Sequence, residues 1–249
     1  MSNGMILHCG GKEVDFAEVE LVETPEPTET HFPLAHDRFV RGVRHHLKQG
    51  GFEIKEQHHA LAHEGMRYFG VITLGNVGRG GDYNWTIGMR NSHDKAFAAG
   101  IAAGSRVLVC DNLCFNGEVT VMRKHTRNIS ADLNNRMTLA VGQLGQTLRL
   151  NDDRYEEYKS CKLSERDVNH LMIEALDAQI IPASRIPKVL GNWREPQQEE
   201  FQEHRNVWGL FNAFTEDFKR IQDPNAMLRR GQALHGMMDT VVGFDVTRN

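Results

Sequence analysis

Hydrophobic and polar residues alternate between about residues 52 and 126, whereas apolar residues recur at helical spacing after residue 129. The runs FEIKEQHHALA and MRYFGVITLG flank a turn at His63-Glu64-Gly65, and this pattern predicts a long β-hairpin. Strands followed by helices are typical of an α+β fold. We therefore predict a mostly antiparallel sheet over about residues 52–126, with flanking helices and an all-helical C-terminal half.

Three further segments complete this prediction. Apolar residues from Phe39 to Leu47 predict a helix that begins near His36 and ends at Gly50-Gly51. Asn91 to Asp94 are suited to cap a short helix over DKAFAAGIAAG (residues 94–104). The run SRVLVCDNLCF (residues 105–115) is apolar enough for a buried strand, and VTVMRKHT predicts another.

Composition limits the class of protein. The chain has 249 residues, enough for one large domain or two small ones, and its four cysteines are too few for a disulfide scaffold. No apolar run reaches the roughly 18 residues of a membrane span, and the N-terminus lacks the features of a secretory signal. We expect a cytoplasmic protein with no membrane partner.

Charge is distributed unevenly along the chain. The net charge is −4, but residues 32–149 contain fifteen Lys/Arg against nine Asp/Glu, a net charge of +6. Residues 1–31 and 150–249 are both acidic. A basic centre between acidic ends indicates a working surface for anions, although acidic helices can equally be ordinary solvated faces.

Polar residues collect where the predicted strands end. Because strand ends often converge, we predict one cationic pocket or groove suited to phosphate oxygens. The predicted nucleic-acid or phosphate ligands are Arg90, Asn91, Ser92, Lys95, Asn112, Lys124, His125 and Arg127. The alternative is structural: Asn91, Ser92 and Asp94 would only cap a helix, and Asp111-Asn112 would form a turn.

An enzyme acting on nucleic acid or on a phosphate-containing substrate is a second hypothesis. His125 would be the acid or base, and Asp94 or Glu216 would hold a divalent metal, the one cofactor that this hypothesis invokes. The glycine-rich stretch GNVGRGGD lacks the features of a phosphate-binding loop. His58, His59 and His63 fit exposed or hydrogen-bonded histidines better than a metal site, so no metal ligands are predicted.

Four motifs resemble a known family. RNSHDK (residues 90–95), VCDNLCF (109–115), RKHT (123–126) and WGLFNAFTE (208–216) resemble, in order and separation, the phage/plasmid-like proteins with the domain of unknown function 932. The resemblance covers about residues 35–225. One departure is Lys95-Ala96, where the family pattern has Gly-Ser. Within WGLFNAFTE, the aromatic residues have the spacing of a helix core.

The resemblance implies an origin in a phage, prophage or plasmid and a bacterial cytoplasm, but it implies no reaction. With it we divide the chain into an N-terminal element and connector (1–33), a family domain (34–225) and a C-terminal helix and tail (226–249). The first hypothesis is a nucleic-acid-binding protein, a homo-oligomer that serves DNA recombination, annealing or protection. The third is a counter-defence protein that binds a host protein through the acidic segment near Glu195 to Glu203.

Overall fold

A six-stranded antiparallel sheet dominates the first half of the chain in a computed structural model, which describes residues 11–75, 77, 83–107, 113–197, 202, 204–221 and 223–245. The strands are β1 (Lys12–Val14), β2 (Glu53–Ala62), β3 (Arg67–Gly75), β4 (Tyr83–Ser92), β5 (Ala99–Val107) and β6 (Leu113–Arg123). They lie in the sheet in chain order, and each pairs antiparallel with the next. The predicted α+β class with an antiparallel sheet is confirmed.

The β2–β3 hairpin follows the predicted turn. Its turn residues His63, Glu64 and Gly65 have φ angles of 51°, 55° and 85°. Three successive left-handed residues reverse the chain tightly, and the glycine adopts this conformation without steric cost. The two alternating runs therefore pair along almost their whole length, from Glu53 opposite Gly75 to Ala62 opposite Arg67.

The predicted helix over residues 94–104 is wrong, because residues 99–107 form β5. β5 lies between β4 and β6 and pairs with both, so its small residues serve close packing in a central strand. Gly100 stands opposite Met122, and a Cβ at Gly100 would collide with the Met122 side chain and the Val121 carbonyl oxygen. Sheet pairing thus overrides the helical spacing of the alanines.

The strand predicted over residues 105–115 is also revised. Its first residues end β5 and its last residues begin β6. Residues 108–112 lie outside the described part of the chain. The pattern of a single apolar run gave no sign of the change of direction between two strands, since both neighbouring segments are apolar.

Seven α-helices occur among the described residues. They are α1 (Phe16–Glu20), α2 (His36–Gln49), α3 (Ile129–Ser160), α4 (Glu165–Asp177), α5 (Ile186–Arg194), α6 (Val207–Phe218) and α7 (Pro224–Val242), with a 3₁₀ turn at Ala183–Arg185 before α5. The periodicity that predicted α2 and α3 marks their buried faces, for example Phe39 and Val43 in α2 and Leu133 and Met137 in α3. The helical C-terminal half is confirmed.

The core joins the sheet to the helices through aromatic side chains. The Trp85 ring of β4 stacks on Tyr155 of α3 at 5.6 Å between centroids, and Tyr155 contacts Trp208 of α6 at 4.9 Å. Leu234 and Met238 of α7 belong to the same hydrophobic cluster. Within the described part of the chain, no helix has the length and apolar character needed to cross a membrane.

Candidate functional site

The ends of β4 and β6 meet, as predicted. His125, two residues after β6, donates from Nε2 to Oδ1 of Asn91 near the end of β4 (2.8 Å). The backbone of the same residue accepts a hydrogen bond from Phe32 N (2.9 Å), which brings the connector before α2 to this edge. Two of the three polar segments predicted to converge therefore lie together.

The third segment, with Asn112, lies outside the described residues. The nearest described residues are Val107 and Leu113, at the end of β5 and the start of β6. Val107 pairs with Tyr83 at the start of β4, whereas Asn91 is near the end of that strand. Asn91 lies eight residues after Tyr83 in β4, which corresponds to about 26 Å along the strand. Val107 and Leu113, the described residues nearest to Asn112, therefore lie at the opposite end of the strands from Asn91.

Asn91 is the centre of a buried polar group that we call the histidine cluster; its members are Asn91, His31, His36, His93 and His125. Asn91 has 0% exposure. Its Nδ2 donates to the Leu34 carbonyl oxygen (2.6 Å) and to Nδ1 of His36 (2.8 Å), and its Oδ1 accepts from His125. Every hydrogen-bonding atom of the amide is therefore used inside the protein.

The other hydrogen bonds assign the imidazole tautomers. His36 donates from Nε2 to the Gly65 carbonyl oxygen (2.9 Å), so its Nδ1 is free to accept from Asn91. His93 donates from Nε2 to Leu34 O (3.0 Å). The rings of His36 and His93 stack at 3.9 Å with an interplanar angle of 2°. Neutral rings satisfy all these contacts, since a protonated His36 would lose its acceptor.

Burial keeps these imidazoles neutral. Together with the neighbouring His93, it lowers the pKa of His36 to about 3. Burial, helped by His31 and His93, lowers the pKa of His125 to about 4. The pKa of His93 is lowered as well, again mainly by burial. His36, His93 and His125 therefore help to hold their segments together at neutral pH as uncharged groups.

Arg90 and Ser92 have internal partners on the other side of β4. Successive strand residues point to opposite faces, so Arg90 does not face the histidine cluster. It donates from Nη1 to Asn225 Oδ1 (2.8 Å), and its guanidinium lies 5.3 Å from the Phe97 ring. The Ser92 hydroxyl donates to Phe97 O (2.9 Å) and accepts from Phe97 N (3.2 Å). The Ser92 bonds fix the β4–β5 turn, whereas the structural alternative expected Ser92 to cap a helix, and residues 99–107 form β5 instead.

Four exposed positive charges lie close along the chain to members of the buried cluster. Lys95, Lys124 and Arg127 are exposed, and so is Arg38 on α2, which sequence reasoning missed. We call these four residues the edge cations. Each lies within two residues along the chain of a histidine of the cluster. Arg38 was detectable as a polar-face residue of the amphipathic α2, but its closeness to residues 93–127 was not.

Acidic groups near the edge cations are engaged with other arginines. Asp94 Oδ2 accepts from Arg67 Nε (2.6 Å), and this interaction helps to lower the pKa of Asp94. Asp37 lies 3.7 Å from Arg41 on the same helix. These two carboxylates are thus balanced by Arg67 and Arg41, and against the four edge cations stands the exposed Glu29, two residues before His31.

The candidate catalytic residues have separate partners. His125 bonds Asn91, Asp94 pairs with Arg67, and Glu216 of α6 pairs with Lys219 (2.7 Å). In the described ranges, no hydrogen bond or ion pair joins any two of His125, Asp94 and Glu216. The same ranges contain no group of three or more His, Cys, Asp or Glu side chains arranged to hold a metal ion.

The WGLFNAFTE motif forms most of α6 and is a packing element. Trp208, Phe211 and Phe214 are buried, as their spacing predicted. The helix begins at the capping residue Asn206, whose side chain accepts from Gly209 N (2.9 Å). Asn212 is also buried and donates to the Trp208 carbonyl oxygen (2.9 Å). The Asn212 side chain is thus hydrogen-bonded to the backbone of its own helix.

Comparison with family models supports the resemblance of the four motifs. The model described as a domain of unknown function (DUF932) matches residues 30–240, which is most of the chain. No curated protein and no solved structure matches the chain. The matched range begins just before His31 and includes all five members of the histidine cluster. The chain therefore belongs to the family of the domain of unknown function 932.

Proposed function

We propose that the chain binds nucleic acid through the edge cations Arg38, Lys95, Lys124 and Arg127. The observation that supports this is their arrangement: four exposed cations on three segments lie within two residues of the histidines of one buried network. Lysine and arginine side chains on a fixed surface contact phosphate oxygens and release counterions, which supplies most of the affinity for a nucleic-acid backbone.

The histidine cluster would supply the rigidity of this surface. Asn91 and His125 were predicted as direct ligands, but their polar atoms have partners inside the protein. In the proposal they position the segments that carry Lys95, Lys124 and Arg127. Ser92 has the same positioning role in the β4–β5 turn, beside Lys95.

The wider proposal keeps the biological setting implied by the resemblance. The protein would serve phage or plasmid DNA in a bacterial cytoplasm, in recombination, annealing or protection, and it would act as a homo-oligomer. An enzyme with His125 as acid or base, and a counter-defence protein that binds a host protein, are the alternative proposals. No contact among the described residues favours either of them.

Salt-dependent binding tests the proposal. Labelled single-stranded DNA, duplex DNA and single-stranded RNA are titrated with the protein in fluorescence anisotropy at several salt concentrations. The variant Lys95→Gln/Lys124→Gln/Arg127→Gln should bind more weakly. Its slope of log K against log salt for single strands should be smaller in magnitude by about 2, since each phosphate contact contributes about 0.7.

A charge-matched control separates a local effect from net charge. Lys162→Gln/Arg166→Gln/Lys188→Gln removes three exposed cations from the helical half and should keep the wild-type slope. The proposal fails if the wild-type protein binds none of the three nucleic acids at low salt. It also fails if both triple variants lose affinity equally.

A further inference from the structure

A second group of charged side chains lies in the helical half, around Asp217 of α6. The Asp217 side chain has 0% exposure. Its Oδ1 accepts from the Arg185 guanidinium, with Nε at 2.7 Å, and its Oδ2 accepts from Arg220 Nε at 3.0 Å. Both carboxylate oxygens are therefore occupied by arginines.

Arg230 lies on α7, which packs against α6, and its guanidinium is close enough to Arg220 and Asp217 for their charges to act on it. Its Nη1 is buried and has no hydrogen-bond partner among the described residues. Burial lowers the pKa of Arg230, and repulsion from Arg220 and Arg229 lowers it further, while Asp217 acts in the opposite direction. We call Arg185, Asp217, Arg220 and Arg230 the arginine cluster. It contains three positive charges and one negative charge.

The excess charge needs an acceptor that the described residues do not provide. A buried guanidinium nitrogen without an acceptor is costly, and arginine does not lose its proton to relieve that cost. The one carboxylate of the cluster already accepts from two arginines. An oxyanion with several oxygens would give Nη1 of Arg230 its missing acceptor and would balance the remaining charge.

The site is open to a ligand from outside. The side chains of Arg185 and Arg220 are 32% and 39% exposed, although each holds Asp217 with one edge of its guanidinium. The planar donor fork of arginine matches the oxygens of a phosphate group better than a spherical anion such as chloride. The three arginines come from three places in the chain, the 3₁₀ turn, the segment after α6, and α7.

We propose that Arg185, Arg220 and Arg230 bind the phosphate group of a ligand, with Asp217 as the residue that positions two of them. This inference goes beyond the proposed function, because these residues lie on other elements than the edge cations. The phosphate has two sources, a small phosphorylated molecule or the backbone of a nucleic acid. The shared chemistry is the phosphate oxyanion.

The experiment measures binding of both sources by isothermal titration calorimetry at constant ionic strength. Inorganic phosphate and adenosine monophosphate represent the small ligands, with adenosine as the control without phosphate. A six-nucleotide single strand represents the backbone. The wild-type protein should bind at least one of these phosphate ligands but not adenosine.

The variant Arg230→Gln provides the decisive comparison. Because Nη1 of Arg230 has no internal acceptor, the substitution should leave the fold intact and keep or raise the midpoint of thermal unfolding without phosphate. It should weaken binding at least about tenfold, the effect of losing one charge-assisted hydrogen bond. Arg149→Gln, which removes an exposed arginine of α3, should bind as the wild-type protein does.

The outcomes are distinct. Loss of inorganic phosphate or adenosine monophosphate binding in Arg230→Gln identifies a small-ligand site, and loss of only the six-nucleotide strand identifies a backbone site. The inference is overturned if the wild-type protein binds no phosphate ligand, or if Arg230→Gln binds as tightly as wild type. The triple variant at Lys95, Lys124 and Arg127 should keep the inorganic phosphate isotherm, so failure of the proposed function is recognised separately.

Discussion

The histidine cluster and the arginine cluster bury polar groups by different means. At the sheet edge, burial lowers the pKa of His36 to about 3 and that of His125 to about 4, so the imidazoles shed their protons and pair as neutral groups. In the helical half, Arg220 and Arg230 keep their charges, and Asp217 balances only one of three. A cluster that can lose its charge becomes neutral, whereas a cluster that cannot is left with an excess of positive charge.

This difference separates scaffold from ligand-binding surface. The amide of Asn91 has no unused atom, so Asn91 is suited to hold segments in place and not to recognise a ligand. The arginine cluster has an unused donor at Arg230 Nη1. Recognition at the sheet edge must therefore come from the exposed edge cations around the histidine cluster.

Removal of the central amide should have the largest effect on stability. Asn91→Ala leaves His36 Nδ1 and His125 Nε2 without their partner in a buried site, while Leu34 O keeps only its bond from His93. Each unsatisfied group costs about 1–3 kcal/mol, so the free energy of unfolding should fall by about 4 kcal/mol. Urea unfolding followed by circular dichroism measures it.

The matched control is Asn135→Ala, which removes an exposed asparagine from α3. It should change the free energy of unfolding by less than about 0.5 kcal/mol. A loss below about 1 kcal/mol in Asn91→Ala would show that the histidine cluster contributes little to the fold.

Acid should produce the next largest effect. The folded pKa values of His36 and His125 lie below the usual 6.5, so the unfolded chain binds more protons than the folded chain. Stability is then fully present above pH 6.5 and is lost as the pH falls from 6.5 towards 3–4. These two histidines alone should lower the free energy of unfolding by about 3 kcal/mol between pH 7 and pH 5.

One variant tests whether the histidine cluster causes this pH dependence of stability. His59 and His235, buried elsewhere, also have lowered pKa values and act in the same direction. His36→Gln should therefore reduce the slope of stability against pH between 6 and 4 by about 1.4 kcal/mol per pH unit without abolishing it. His170→Gln, an exposed position on α4, should keep the wild-type slope. Equal slopes in the wild-type protein and His36→Gln would contradict the neutral cluster.

The sequence predicted elements better than it predicted contacts. The β2–β3 hairpin and α2 follow from local periodicity and turn residues, which burial of one face enforces. The prediction of a helix over residues 94–104 was wrong. The small residues of this segment allow close packing between strands, as the approach of Met122 to Gly100 shows. Local spacing does not reveal which strand will lie beside a segment.

The candidate site shows the same limit. Convergence of residues 90–95 with residues 123–127 was predictable from strand ends, but the partners of Asn91 were not. Leu34 and His36 lie more than fifty residues before Asn91 in the chain. The sequence pattern predicted only the end of a connector and the start of a helix there. The net charge of residues 32–149 predicted a cationic surface without distinguishing the exposed Lys124 from the half-buried Arg90.

The smallest of these effects concerns the carboxylate of the arginine cluster. Asp217→Asn removes the charge that balances Arg185 and Arg220 while keeping a similar shape. We expect a loss of about 2 kcal/mol in the free energy of unfolding, less than for a fully buried pair because both arginines are about one-third exposed. Asp177→Asn, at the exposed end of α4, is the control and should change stability by less than about 0.5 kcal/mol.

The response to added salt distinguishes the loss of stability in Asp217→Asn from the loss in Asn91→Ala. Without Asp217 the three arginines repel one another, so added sodium phosphate should restore more stability to Asp217→Asn than sodium chloride of equal ionic strength does. Asn91→Ala, whose loss comes from unsatisfied neutral groups, should respond equally to both salts. If Asp217→Asn also responds equally to both, the arginines of this cluster do not select a phosphate group, and the contrast between a neutral cluster and one with an excess of positive charge is lost.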